Sequence, residues 1–233
     1  MKWHPGQPAA SLALLEQQIT NCASCPRLRA YAAGVCETRR KAFAAETYWG
    51  RPVAGWGDPG AWLLLVGLAP AAHGALRTGR MFTGDRSGDF LFAALHRAGF
   101  CNQASSRSRG DGLRLQGAWL SAAARCAPPG NRPAPEELRR CLPYLQQELA
   151  LLPRVRVIIS LGQLGHAQLL RALGAPPPLA RYRFCHGGEY TIGRWQVLGC
   201  YHPSQQNTFT GRLTPAMMDT VLARARALIE AKG

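Results

Sequence analysis

Four short apolar runs punctuate the chain: Trp62–Val66, Trp119–Ala124, Val155–Leu161 and Gln196–Cys200. Each is strand-sized and is followed by residues that break or turn the backbone, which predicts buried β-strands. Helical spacing fills the gaps between them. Asp85–Ala98 sets Phe90, Leu91, Ala94 and Leu95 on one face. Pro135–Leu151 opens with Pro-Glu-Glu, which suits the positive end of a helix dipole. Gln163–Leu173 and Pro215–Ala231 follow the same logic. Strands alternating with helices predict an α/β fold whose mostly parallel sheet is covered on both faces. Ligands in such folds sit beyond the carboxyl ends of the strands. That directs attention to the residues just after the first and fourth runs. Ser105–Gly112 (SSRSRGDG) reads as a polar surface loop and Pro176–Pro178 as a rigid connector, and neither marks a domain boundary.

The length, 233 residues, suits one domain with a sizeable core. No apolar run approaches the roughly 18 residues needed to span a bilayer. Met1–Ala10 holds two prolines and no long apolar stretch, so it does not read as a secretory signal, and the cytoplasm is the expected location.

Charge narrows the picture further. Lys+Arg number 28 against 13 Asp+Glu, and lysine stands only at Lys2, Lys41 and Lys232. Arginine offers planar, multi-donor contacts to phosphate, and a basic surface attracts polyanions such as nucleic acid. An Ala/Arg/Gly/Pro-rich genome would produce part of this bias without any binding role.

Eight cysteines in a chain expected to be cytosolic favour metal binding or core packing over disulfides. Cys22 and Cys25 form C-x2-C, and Cys126 and Cys141 flank a proline-rich loop and a helix start. Four thiolates suit a [4Fe–4S] cluster, with zinc as the rival. Structural zinc prefers short spacing in both pairs, so the long second spacing favours the cluster. Cys36, Cys101, Cys185 and Cys200 show no such pairing and read as small hydrophobes.

Two segments carry candidate chemistry. The first runs from Gly67 through Leu68, Ala69, Pro70, Ala71 and His73 to Gly74, then through Arg77 and Arg80 to Phe82 and Asp85. Small residues there let backbone N–H groups approach a ligand. Arg77 and Arg80 are positioned in sequence to meet phosphates or an acid, and Phe82 to stack on a base; packing alone would explain the same loop equally well. The second segment, His202–Thr214, puts a histidine beside a proline at a strand end, where its ring can hydrogen-bond developing negative charge. Ser204, Asn207, Thr210 and the Gly211–Arg212 backbone supply donors suited to phosphate oxygens.

At these residues the sequence resembles family 5, or type B, uracil-DNA glycosylases. The matching stretches are YWGRPVAGWGDP (48–59), GLAPAAHG (67–74), RTGRMFTGDRSGDFL (77–91), RCAPPGNRP (125–133) and CYHPSQQNTFTGRLT (200–214), and the likeness runs from about Cys22 to the end. The resemblance implies a single domain spanning 1–233, built as an α/β/α sandwich around a short four-stranded parallel sheet. It implies a structural [4Fe–4S] cluster on Cys22, Cys25, Cys126 and Cys141, near the N-terminal region. The implied reaction is hydrolysis of the N-glycosidic bond of a damaged base, flipped out of DNA, to leave an abasic site. By the same resemblance His202 would stabilise the departing base, and Gly67 and Ala69, with neighbouring backbone, would hold the attacking water. Leu68, Pro70, Ala71, His73, Phe82 and Ser121 would line the base site. Arg77, Arg80, Ser204, Asn207, Gly211 and Arg212 would grip DNA. The protein is expected to act as a monomer.

Three positions depart from what related enzymes carry. Ala69 stands where many superfamily members have Asp or Asn, although alanine is the type B pattern. Leu76 occupies a position where a polar Asn or Asp is expected. Ser121, Ala122 and Ala123 stand where an Asn often reads the uracil edge. The absent amide predicts a broader range that includes deaminated purines. The alternatives are a non-cleaving damaged-DNA-binding protein of the same fold, suggested by Leu76, and an electron carrier.

Overall fold

The computed structural model describes residues 10–231. The reading of Met1–Ala10 falls almost wholly outside them, as do Lys2 and Lys232. In chain order the elements are α1 (Leu12–Thr20), α2 (Pro26–Thr38), β1 (Trp56–Gly57), β2 (Leu63–Gly67), α3 (Ala75–Thr78), α4 (Arg86–Arg97), β3 (Ala118–Ala122), α5 (Pro135–Leu151), β4 (Val157–Leu161), α6 (Gln163–Ala172), β5 (Glu189–Ile192), β6 (Trp195–Cys200), α7 (Gln205–Phe209) and α8 (Pro215–Glu230).

The sheet order is β1-β3-β2-β4-β6-β5. The four central strands are mutually parallel, and β1 and β5 add antiparallel edges. The expected four-stranded sheet is therefore six-stranded. The parallel centre matches the four apolar runs, because strands buried on both faces must be apolar at every position. The two extra strands escaped notice for physical reasons. Two-residue β1 is too short to show periodicity, and β5 is largely exposed, so its sequence is polar. It pairs back onto β6 through a two-residue turn, with Ile192 opposite Trp195.

Two apolar layers sandwich the sheet. On one face α4 and α8 cover Leu63, Leu65, Leu120, Ile159 and Leu198. On the other, α5 and α6 cover Leu64, Val66, Ile158 and Val197. Side chains alternate between the two layers along each strand, as the two-residue period requires. Helix α1 lies against α5, burying Leu15 and Ile19 beside Tyr144. Among the described residues no helix is long and apolar enough to cross a membrane.

The polar stretch Ser105–Gly112 is a surface loop, as expected, anchored to the interior at two points. Ser106 is fully buried, and Asp111 turns inward to Arg80 at 2.7 Å. Asp111 also accepts hydrogen bonds from the backbone N–H groups of Arg107, Ser108 and Leu113. Ser106 and Asp111 thus serve a buried guanidinium while Arg107–Gly110 face solvent.

Candidate active site at the strand ends

The chain leaves β2 at Gly67, β3 at Ala122 and β6 at Cys200, and all three exits open on one end of the sheet. The loop after β2 is zipped to the loop after β3 by hydrogen bonds from Ala123 N–H to the Gly67 carbonyl and from Ala124 N–H to the Leu68 carbonyl. This fixes a rigid rim. A small chamber of about 40 Å³ sits at the rim, lined by Ala69, Pro70, Ala71, Ala75, Met81, Phe82, Asp85, Ser87, Ala122 and His202. That is room for ordered water.

Two aromatic rings form its walls. Phe82 and His202 lie 6.1 Å apart between ring centroids, tilted by 33°. Phe82 holds a left-handed backbone conformation, φ 54°, which is strained for a bulky residue. Its ring presses on Gly67: a Cβ there would stand 2.8 Å from Phe82 Cζ, so only glycine admits the ring. Burial pushes His202 down to about 4, leaving a neutral imidazole at physiological pH. Asn207 Nδ2 donates to the His202 carbonyl at 2.9 Å and fixes the turn that carries the ring.

Asp85 is the carboxylate of the chamber, and sequence reasoning passed over it. Its Oδ1 accepts from Gly88 N–H at 2.9 Å, capping α4. Its Oδ2 lies against Gly74 so closely that a Cβ on that glycine would stand 1.9 Å away. Desolvation raises its pKa above the ordinary aspartate value, only partly opposed by the backbone of Gly88 and Ser87. In sequence it looks like an ordinary helix cap, which is why it gave no signal.

Open grooves flank the chamber. One, of about 1180 Å³, is lined by Arg40, His73, Arg86, Arg107, Gln205 and Phe209 among others. The other, of about 690 Å³, is lined by Leu68, Arg183, Ser204, Asn207 and Arg212 among others. Phe209 stands 67% exposed between α7 and α4, under the Arg86 guanidinium at 5.2 Å. Gly211 is exposed, with open space where a Cβ would be.

The predicted residues divide accordingly. His202, Phe82, Ala69, Pro70 and Ala71 meet in the chamber. Leu68 and His73 do not; they line opposite grooves, and His73 Nδ1 lies 3.0 Å from the Tyr48 hydroxyl. Ser121 faces away altogether, donating to Glu148, which also pairs with the buried Arg125 at 2.6 Å. Its neighbour Ala122 lines the chamber instead.

Arg77 and Arg80, expected to meet phosphates or an acid, meet acids of the fold. Arg77 donates to the carbonyls of His73 at 2.8 Å and Gly84 at 2.7 Å, pairs with Glu46 and covers the Phe43 ring. Arg80, only 5% exposed, donates to Thr83 and Ser106, pairs with Asp111 and covers Trp56. Most of the five N–H donors of each guanidinium are thus used inside the fold, although Arg77 also borders the larger groove. Leu76 is fully buried among Ala32, Val35 and Tyr48, so it packs α2 against α3 and is no part of the chamber.

The four cysteines expected to act together also approach one another. Cys25 and Cys126 pack with Leu28, while Cys22 and Cys141 border a second cluster with Tyr144. Burial, and after it repulsion among the thiols, raises Cys126 and Cys141, the latter to about 12, and Cys25 is raised by the same causes. Arg29, Arg125 and Arg140 oppose the rise from nearby. Among the described residues no three His, Cys, Asp or Glu side chains converge on one ion.

The fold is thus a six-stranded α/β sandwich with a histidine-walled chamber after its strands, set between two arginine-bearing grooves. Residues 54–226 match the model of the uracil DNA glycosylase superfamily, and the chain belongs to that superfamily. It is 50% identical to the type-5 uracil-DNA glycosylase of Mycobacterium tuberculosis over 225 residues, covering 94% of this chain and 82% of that protein. It is 50% identical to the type-5 uracil-DNA glycosylase of Thermus thermophilus over 213 residues, covering 91% and 95%. A type-4 uracil-DNA glycosylase of Pyrobaculum aerophilum is 33% identical over 161 residues, covering 69% of this chain and 65% of that protein.

Proposed function

We propose that the protein is a monofunctional DNA N-glycosylase that hydrolyses the N-glycosidic bond of uracil in DNA and leaves an abasic site for repair. The observation that carries this reading is the pairing of Phe82 and the neutral His202 across one chamber, flanked by arginine-bearing grooves. The target nucleotide flips out of the duplex to reach the chamber. Phe82 stacks on the base. His202 donates a hydrogen bond to the negative charge that grows on the leaving base; with its pKa held near 4 it acts as a dipole, not as a proton source, at neutral pH. Gly67, Ala69 and neighbouring backbone hold the site's floor, and Ser204, Asn207, Gly211 and Arg212 contact the strand. A single domain working as a monomer in the cytoplasm suffices for this task.

No side-chain amide lines the chamber among the described residues. Discrimination by hydrogen-bond readout is weak without one, so the enzyme also accepts other deaminated bases, hypoxanthine among them. The non-cleaving alternative drew its support from Leu76, which is a core residue here.

Cys22, Cys25, Cys126 and Cys141 fit a [4Fe–4S] cluster better than zinc. Structural zinc usually takes short spacing in both cysteine pairs, and the long spacing from Cys126 to Cys141 favours the cluster. A bound metal centre would hold these buried thiols as thiolates, and nearby Arg29, Arg125 and Arg140 would offset part of the cluster's negative charge. The cluster's contribution is structural, tying α1, α2 and α5 together. Iron and sulfide content of the purified protein, near four each per chain, would support this, and stoichiometric zinc would overturn it.

The activity test is a labelled duplex carrying one U·G mismatch, followed by alkali. Strand breakage that needs both the uracil and His202 supports the glycosylase. Tight binding without breakage overturns it.

A further inference from the structure

Asn207 holds the carbonyl of His202, and a second histidine, absent from the two sequence motifs, holds the backbone just before it. We propose that His186 is a positioning residue for base excision, whose ring fixes the backbone that delivers His202 to the chamber. The inference rests on the glycosylase reading above. His186 does not line the chamber and acts through His202.

The pairing along the outer edge of β6 shows how the contact arises. Beyond the Glu189–Leu198 pair, strand β5 gives way to a loop that continues the ladder. Gly187 N–H donates to the Gly199 carbonyl and Gly199 N–H donates to the Gly188 carbonyl, each at 2.8 Å. The loop lies tight on the strand: a Cβ on Gly199 would stand 2.2 Å from the Cys185 carbonyl oxygen. Two residues further along, a side chain replaces the next backbone partner. Tyr201 N–H donates to His186 Nδ1 at 3.2 Å.

A backbone N–H can only donate, so Nδ1 carries no proton. The ring proton sits on Nε2 and is donated to the Met217 carbonyl, in the first turn of α8. One imidazole therefore ties the exit of β6 to α8. The ring also stacks on Tyr201, with centroids 4.9 Å apart and planes tilted by 19°. Burial holds its pKa below the usual histidine value, which keeps Nδ1 free to accept. With His186 on the Tyr201 N–H and Asn207 on the His202 carbonyl, the turn carrying the catalytic ring is pinned on both sides. A displacement of about 1 Å at such a ring can cost about 10²-fold in rate.

Three substitutions separate the two ring nitrogens. Asparagine places an oxygen where Nδ1 stands and keeps the Tyr201 bond. Glutamine reaches the position of Nε2 and keeps the Met217 bond. Leucine keeps neither. Single-turnover cleavage of the U·G duplex should fall about 10-fold or more in His186→Gln and His186→Leu, and stay within about threefold of wild type in His186→Asn. Affinity for an abasic-site duplex should hold in all three. Hydrogen exchange at the Tyr201 amide should quicken in the two slow variants alone. In a His202→Ala background, His186→Gln should change the residual rate by less than about threefold, because the residue it acts through is gone. A His186→Gln enzyme as fast as wild type, an equal loss in His186→Asn and His186→Gln, or a loss that persists without His202 overturns the proposal. If His186→Leu does not fold, the asparagine and glutamine variants decide by the same readouts. Wild-type protein that fails to cleave would instead sink the glycosylase reading, while the Tyr201 exchange pattern would still decide whether His186 holds that backbone.

Discussion

The two segments that define the site use the same residue types for opposite ends. In the first, between β2 and α4, Arg77 and Arg80 turn inward and spend their donors on carbonyls, hydroxyls and carboxylates. In the second, around α7, Arg212 lies exposed over Tyr201 and Phe209 stands free of the core. The first segment is architecture that holds Phe82 in place. The second is the surface proposed to meet DNA. An arginine count therefore overstates the DNA-facing charge, and burial decides which arginines matter for binding.

That contrast breaks if the inward arginines behave like surface ones. Arg80→Ala strips the partner from a nearly buried Asp111 and should cost about 3–5 kcal/mol of stability, read as a lower urea midpoint. An unchanged midpoint would erase the distinction. His202→Ala should lower single-turnover cleavage about 10²–10³-fold while leaving the melting temperature near wild type. Asp111 gives a smaller effect with a defined sign. Hydrogen bonds from Arg80 and three backbone N–H groups hold its pKa down at about 2, against 3.8 in the unfolded chain. Its stabilisation is complete above pH 3.8 and is lost as pH falls toward 2, amounting to about 2 kcal/mol. Thermal melts across that range, compared with Asp111→Asn, check it. Smallest are the surface changes. Arg212→Ala should reduce the salt slope of DNA binding by about one, and Phe209→Ala should weaken binding by about 1 kcal/mol, neither moving the melting temperature.

Much of this was legible in the chain. The runs around Leu64, Leu120, Ile159 and Val197 read as strands because both faces of a parallel strand are apolar. The motifs around His202 and Phe82 read as a site because they follow such runs. What did not read were features set by partners distant in sequence. Nothing local says that Ser106 and Asp111 enclose Arg80, or that Ser121 turns to Glu148 while Ala122 turns to the chamber. Helices α1 and α2 were missed because Cys22 and Cys25 drew attention as ligands, while Gly34 interrupts the helical pattern and Pro26 marks a start only in hindsight. Asp85 reads in sequence as a helix cap, and its place on the chamber wall does not show there.

The backbone of Phe82 sets a limit on how this enzyme can be improved. A phenylalanine at φ 54° carries on the order of 1 kcal/mol of local strain that glycine or asparagine would relieve. Selection for heat resistance alone would favour replacing it, and would discard the ring that walls the chamber. Position 82 is thus where thermostability and turnover pull apart, and any library screened only for survival at temperature should lose the aromatic there first.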